Sequence, residues 1–184
     1  MPDVRRTNKG PSVAAANRAA LIAAAREVFA TTGYDAPLST VARAAGVGQG
    51  SLYRHFPDRV SLALAVFENG VADLEALAAE PGATLDDVLA LITEQTIAST
   101  AFIDMVSGIP ADARVIAIRE RVAGLLAGLL SEARSAGRVR QDLTTEDLVL
   151  AVGMLAGVLA KRSALARRVA AAQVWALLRK GMDA

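Results

Sequence analysis

Leu38-Ser-Thr-Val-Ala-Arg-Ala-Ala-Gly-Val-Gly-Gln-Gly-Ser-Leu-Tyr-Arg-His-Phe56 decides the architecture of this 184-residue chain. Its apolar positions Leu38, Val41, Ala42 and Ala45 are followed by a Gly46-Val47-Gly48 break and then by Leu52 and Phe56. That spacing predicts two short helices crossing steeply over a tight turn, a helix-turn-helix. Gly46 supplies the positive φ favoured just past a helix C-terminus. Val47 is expected to be a buried plug between the helices, and Gly48 to cap the second. Leu52 and Phe56, four apart, hold that helix to the core by one face. The other face carries Gln49, Gly50, Ser51, Tyr53, Arg54 and His55. Donors, acceptors, a positive charge and little aliphatic bulk suit a helix lying in a major groove. Gly50 lets the backbone approach base edges, Arg54 suits a guanine and Gln49 an adenine, and Tyr53 and His55 reach for phosphate oxygens.

The run Leu-Tyr-Arg-His-Phe, residues 52–56, continues into Pro57-Asp58-Arg59. Together with Gly33-Tyr34 and Ala45-Gly46-Val47, it resembles the DNA-binding domain of the tetracycline-repressor (TetR) family of bacterial regulators over roughly Asn17 to Leu64. The resemblance implies a homodimer that binds a palindromic double-stranded operator, most often as a repressor, and is released by a small-molecule effector. It implies a phosphate-clamping role for Arg59. Where the family often has a Thr-Thr or Thr-Ser pair, this chain reads Ala36-Pro37-Leu38, which leaves Ser39 or Thr40 to supply the phosphate-binding hydroxyl. Gly48 stands where Ser or Thr is common, a weaker cap.

Composition fits this reading. Hydrophobic residues make up 53 % of the chain and aromatics 4 %, alanine is abundant, and hardly any segment alternates polar with apolar, so the class is all-α. No cysteine and a single histidine, His55, leave no thiolate nucleophile and no ordinary zinc site. No glycine-rich phosphate loop or paired-carboxylate metal spacing appears either, so an all-α enzyme is disfavoured and no cofactor or metal is expected. Residues 1–60 hold eight Lys or Arg against four Asp or Glu, and the remainder twelve against fifteen. A basic front attached to a mildly acidic rear is expected when only the front meets a polyanion. The N-terminus shows no apolar leader, and the longest uncharged apolar run, Leu148 to Ala160, falls short of the about 20 residues that span a bilayer. A cytoplasmic protein with no membrane partner follows.

Three domains are expected: a flexible basic arm over 1–16, the helix-turn-helix domain over 17–62, and a helical regulatory and dimerisation domain over 63–184. The first helix is predicted over Asn17–Thr32, with Leu21, Ile22, Ala25, Val28 and Phe29 on one stripe and Arg18 near enough its start to touch a phosphate. A longer helix over 57–80, entered by Pro57 with Asp58 at its positive end, joins the front to the rear. Thr84 and Asp87 form a capping box for a helix over 85–107. Its Gln95, Thr96, Ser99, Phe102 and Met105, with Ile118 of the next helix (112–136), mix polar and apolar groups as a small-molecule pocket does. The helix over 146–162 is apolar nearly all round, and a small-residue strip of Gly153, Ala156, Gly157 and Ala160 permits close approach of a second helix. With the helix over 164–180, whose Leu165, Val169, Ala172, Trp175 and Leu178 are read as its apolar side, it is expected to build a four-helix bundle across a two-fold axis. Val149, Val152, Gly153, Ala156, Gly157, Trp175 and Leu178 are the expected interface. A regulator with the same DNA-binding front, but controlled by a protein partner or by its abundance, is the alternative.

Overall fold

Eight helices account for the computed structural model, which describes residues 10–98 and 112–183. They are α1 (Gly10–Thr32), α2 (Leu38–Ala44), α3 (Gln49–His55), α4 (Arg59–Ala78), α5 (Leu85–Ala98), α6 (Ala113–Ser135), α7 (Thr145–Ala160) and α8 (Ala164–Arg179). The all-α class expected from composition is the class observed. The one extended pairing among the described residues is a bridge between Val139 and Asp183, where Arg140 N donates to Met182 O at 3.0 Å. Among the described residues no helix is long and apolar enough to cross a membrane.

Two compact units divide the chain, Met1–Val66 and Phe67–Ala184, and α4 contributes residues to both. In the first, the predicted stripe of α1 is buried, as are Val41 and Ala42 of α2, Leu52 of α3 and Phe56 just beyond it, and α1 packs against both short helices. Helix α1 starts at Gly10, inside the segment expected to be a flexible arm. Pro11 lies in the first turn, where a missing N–H costs nothing, and the alanines at 14–16 are the best helix formers. These residues extend the helix without burying anything: Ser12 to Ala16 are exposed.

In the second unit α5, α6 and α7 pack around Val88, Leu126 and Leu148, while Leu155 and Leu159 of α7 meet Ala170 and Ala171 of α8. The helix ends follow local chemistry. Asp58 Oδ1 accepts from both Ser61 N and Ser61 Oγ at 2.6 Å, which starts α4 after Asp58 rather than at Pro57. The predicted capping box at α5 is present: Thr84 N donates to Asp87 Oδ2 at 2.9 Å, and Asp87 N donates to Thr84 Oγ1 at 3.3 Å. Thr144 and Asp147 repeat it at α7. Gly137, with φ +64, closes α6. The part of the expected 85–107 helix beyond Ala98 lies outside the described residues, as do Ser99, Phe102 and Met105.

Candidate nucleic-acid interface

The turn between α2 and α3 is built by backbone bonds that only a left-handed residue allows. Gly46 has φ +67; its N–H donates to Arg43 O at 3.1 Å, and Val47 N donates to Ala42 O at 2.9 Å. This is the Schellman arrangement, which satisfies the last carbonyls of α2 and throws the chain sharply sideways. Val47 emerges half-buried rather than as the buried plug expected of it, because the two helices are too short to enclose it. Gly48 caps α3 through its carbonyl alone, accepting from Ser51 N at 2.9 Å and Leu52 N at 3.0 Å.

Helix α3 spans about 10 Å, within the width of a major groove. Leu52 and Phe56 fix its inner face at 1 % and 2 % exposure, and the opposite face is open. Gln49, Gly50, Arg54 and Tyr53 are exposed, Tyr53 by 53 %, while Ser51 and His55 are half-buried at the edge. A Cβ at Gly50 would meet nothing within 4 Å, so this spot of backbone stands open to a close neighbour. Ser39 and Thr40 lie half-buried in the first turn of α2, where Thr40 N donates to Pro37 O at 2.8 Å. Arg18 holds its guanidinium 5.3 Å from the Phe56 ring centroid, joining α1 to the end of α3.

Arg59 turns Nη1 towards the chain between α1 and α2. Its Nη1 donates to Tyr34 O and, at 2.6 Å, to Ala36 O, and its Cζ lies 5.4 Å from the Tyr34 ring centroid. The phenol of Tyr34 is pushed up by burial, against the lowering effect of that cation. The Gly33-Tyr34 pair was legible as a motif, but nothing local in it announced a partner 25 residues away.

The residues expected to meet a small molecule are only partly available. Gln95 Nε2 donates to Gly70 O at 3.0 Å, and Thr96 Oγ1 donates to Ile92 O at 2.7 Å, so both are committed to backbone carbonyls; Ile118 is buried in the core. A Cβ at Gly70 would come 3.1 Å from Gln95 Oε1, so a larger residue there would press on the amide that Gln95 turns to Gly70 O. A cleft of ≈ 300 Å³ opens instead between α5 and α8, walled by Leu89, Thr93, Ile97, Ala171 and Trp175. Trp175 Nε1 donates to Thr93 Oγ1 at 2.7 Å, and that hydroxyl donates to Leu89 O. Two ion pairs cross the same cleft, Arg168 with Glu94 and Arg179 with Asp86. The Arg168 guanidinium, bidentate on Glu94, holds that carboxyl below its ordinary range.

The rear helices also turn some expected interface residues inward. Ala156 is buried, Trp175 faces α5, and Val152 and Leu178 pack on the core of their own unit. Val149, Gly153 and Gly157 remain on the surface, beside Leu150 (60 % exposed) and Met154. On α8, Leu165 and Val169, part of the side expected to be apolar, are exposed by 95 % and 62 %, and Leu177 joins them. The i, i+4 pairs Leu150–Met154 and Leu165–Val169 were the signal for this second apolar stripe.

A family model described as bacterial regulatory proteins of the tetR family matches residues 21–66. The TetR transcriptional regulator of Streptomyces coelicolor is 30 % identical over 90 % of this chain and 98 % of its own, with a TM-score of 0.68. The TetR transcription regulatory protein of Mycobacterium vanbaalenii is 25 % identical over 95 % and 99 %, with a TM-score of 0.63. A gamma-butyrolactone receptor, an ArpA-like protein, shares the fold at 21 % identity over 94 % and 90 %, with a TM-score of 0.54. No curated protein matches the chain.

Proposed function

The chain belongs to the TetR family of bacterial DNA-binding transcriptional regulators, and from that premise we propose that it is a homodimeric repressor, released from a palindromic operator by a small molecule. The observation that carries the DNA-binding half is the open face of α3, with Gln49, Gly50, Tyr53 and Arg54 exposed opposite a fully anchored inner face. Arg54 and Gln49 read base edges, Tyr53 and His55 meet phosphates, and Ser39 or Thr40 of α2 adds a hydroxyl to the backbone contact. The exposed stripes of α7 and α8 join two copies, which sets the spacing of the two α3 helices.

Selection of bound duplexes from a random pool by the purified full-length protein tests this reading. A palindrome with half-sites about 34–36 Å apart, one helical turn, is the expected product. Recovery of sequence-independent, salt-sensitive binding alone would sink it.

For the effector, the cleft between α5 and α8 supports an apolar molecule of modest size whose one polar group donates to Thr93 Oγ1, since the Thr93 proton and the Trp175 N–H are already used. Its ≈ 300 Å³ is at the small end of ligand sites. Trp175 is the only tryptophan of the chain, so its emission reports directly on that cleft. A compound that shifts Trp175 emission and also releases the selected duplex is the expected outcome of a ligand screen. Release by a compound that leaves the emission unchanged moves the effector elsewhere. A repressor that no compound releases favours control by a protein partner.

A further inference from the structure

We propose that Arg59 is a positioning residue of the DNA-binding unit: by chelating the carbonyls of Tyr34 and Ala36 across the Tyr34 ring, it ties the start of α2 to the start of α4. The two helices that would meet DNA have seven residues each, far too few to be stable alone. Neither has a side-chain cap: Pro37 and Gly48 occupy the N-cap positions and offer no acceptor but their own backbone. Burial of Val41 and Ala42 against α1 holds one face of α2, and the chain that leads into it fixes where the helix starts. That chain, Gly33 to Pro37, leaves α1 through a glycine at φ +99 and carries one internal bond, Ala36 N to Gly33 O at 3.2 Å. Arg59 adds two more from outside the segment. The stack continues inward, for the Tyr34 ring lies 5.7 Å from Phe29, whose side chain is buried in α1. The guanidinium thus connects three helices at the point where α2 begins.

One nitrogen, Nη1, serves both carbonyls, and what only Arg adds is the guanidinium plane that lies against the Tyr34 ring on a longer side chain; Lys keeps the charge and the donors but has no plane to lay on the ring. This separates positioning from phosphate binding. A phosphate contact depends on charge, serves all sequences alike, and lowers the salt slope by about 0.9 when lost. A positioning contact depends on shape and is felt on the duplex that α3 reads.

The test compares Arg59→Lys, Arg59→Met and Tyr34→Leu in the full-length protein on the selected duplex and on a random-sequence duplex of equal length, across a salt titration. Hydrogen exchange of the Ala36–Ala42 amides is followed without DNA. The DNA arm rests on the function proposed above, whereas the exchange arm does not, so failure to recover an operator leaves Arg59 still judged. Arg59→Lys is expected to lose about tenfold or more on the selected duplex, to bind the random duplex as before with unchanged salt slope, and to exchange faster over Ala36–Ala42. Tyr34→Leu, with no charge altered, is expected to do the same. Either of two results overturns the proposal: Arg59→Lys binding like the parent while Arg59→Met weakens on both duplexes with a lowered slope, or unaltered exchange over Ala36–Ala42 in all variants. Should Arg59→Met fail to fold, the Lys and Leu variants decide.

Discussion

Tyr53 projects from α3 with half its surface open and no core role, so removing it tests the interface without touching the fold. A hydrogen bond to a charged phosphate is worth about 1.5–3 kcal/mol, and a symmetric dimer loses it twice. Tyr53→Ala is therefore expected to abolish operator binding in a mobility-shift assay while sedimentation still reports a dimer; loss of the dimer would put this helix on another surface. Gly46 is different, because nothing lies within 4 Å of a Cβ there and only its φ of +67 forbids a side chain. Gly46→Ala should cost about 1–2 kcal/mol by denaturant unfolding. Trp175→Phe removes the donor to Thr93 Oγ1 while that hydroxyl keeps Leu89 O, a loss of about 1 kcal/mol. The interface glycine was visible in the chain, since a C-terminal glycine is a local need. The partner of Trp175, 82 residues distant, was not.

Element ends link stability to acid. The Arg114 side chain bonded to Asp112, the N-cap of α6, holds that carboxyl down at about 2. The hydroxyls of Thr84 and Thr144 likewise hold Asp87 and Asp147 below the ordinary carboxylate range, and Arg121 does so for Glu75. Each group is lower in the folded than in the unfolded chain, so each stabilises fully above its unfolded value, near 3.8 for Asp, and the benefit disappears as pH falls through the lower folded value. Helicity by circular dichroism should stay level from neutral pH to about 5, decline below about 4, and keep falling towards about 2. Asp147→Asn should reduce that dependence. These caps were readable because Thr-x-x-Asp acts within one turn. The early start of α1 was not read, because exposed alanines show no periodicity yet still favour helix.

At the scale of the whole molecule, the exposed stripe of Leu150, Met154, Leu165, Val169 and Leu177 is the surface that a second copy would cover. Leu150→Arg or Leu177→Arg places a charge in that stripe and removes nothing from the core of the subunit. Sedimentation of either variant should report a folded monomer, and operator affinity should fall with it because two half-sites are no longer held together. A variant that stays dimeric places the interface elsewhere. Ala156, buried in its own unit, is expected to reveal itself only as a stability position.

Sequence alone determined the all-α class, the α2–turn–α3 unit with its inward and outward faces, and the caps of α4 and α5, because each depends on composition or on residues within a few positions of one another. Tertiary structure decided that Arg59 faces the α1–α2 turn, that Gln95 and Thr96 are committed to carbonyls, and which side of α7 and α8 stays uncovered. A helix apolar on every side carries no periodic signal of which stripe meets its own core. A guanidinium's partner is chosen by distance in space, which the order of residues along the chain does not state.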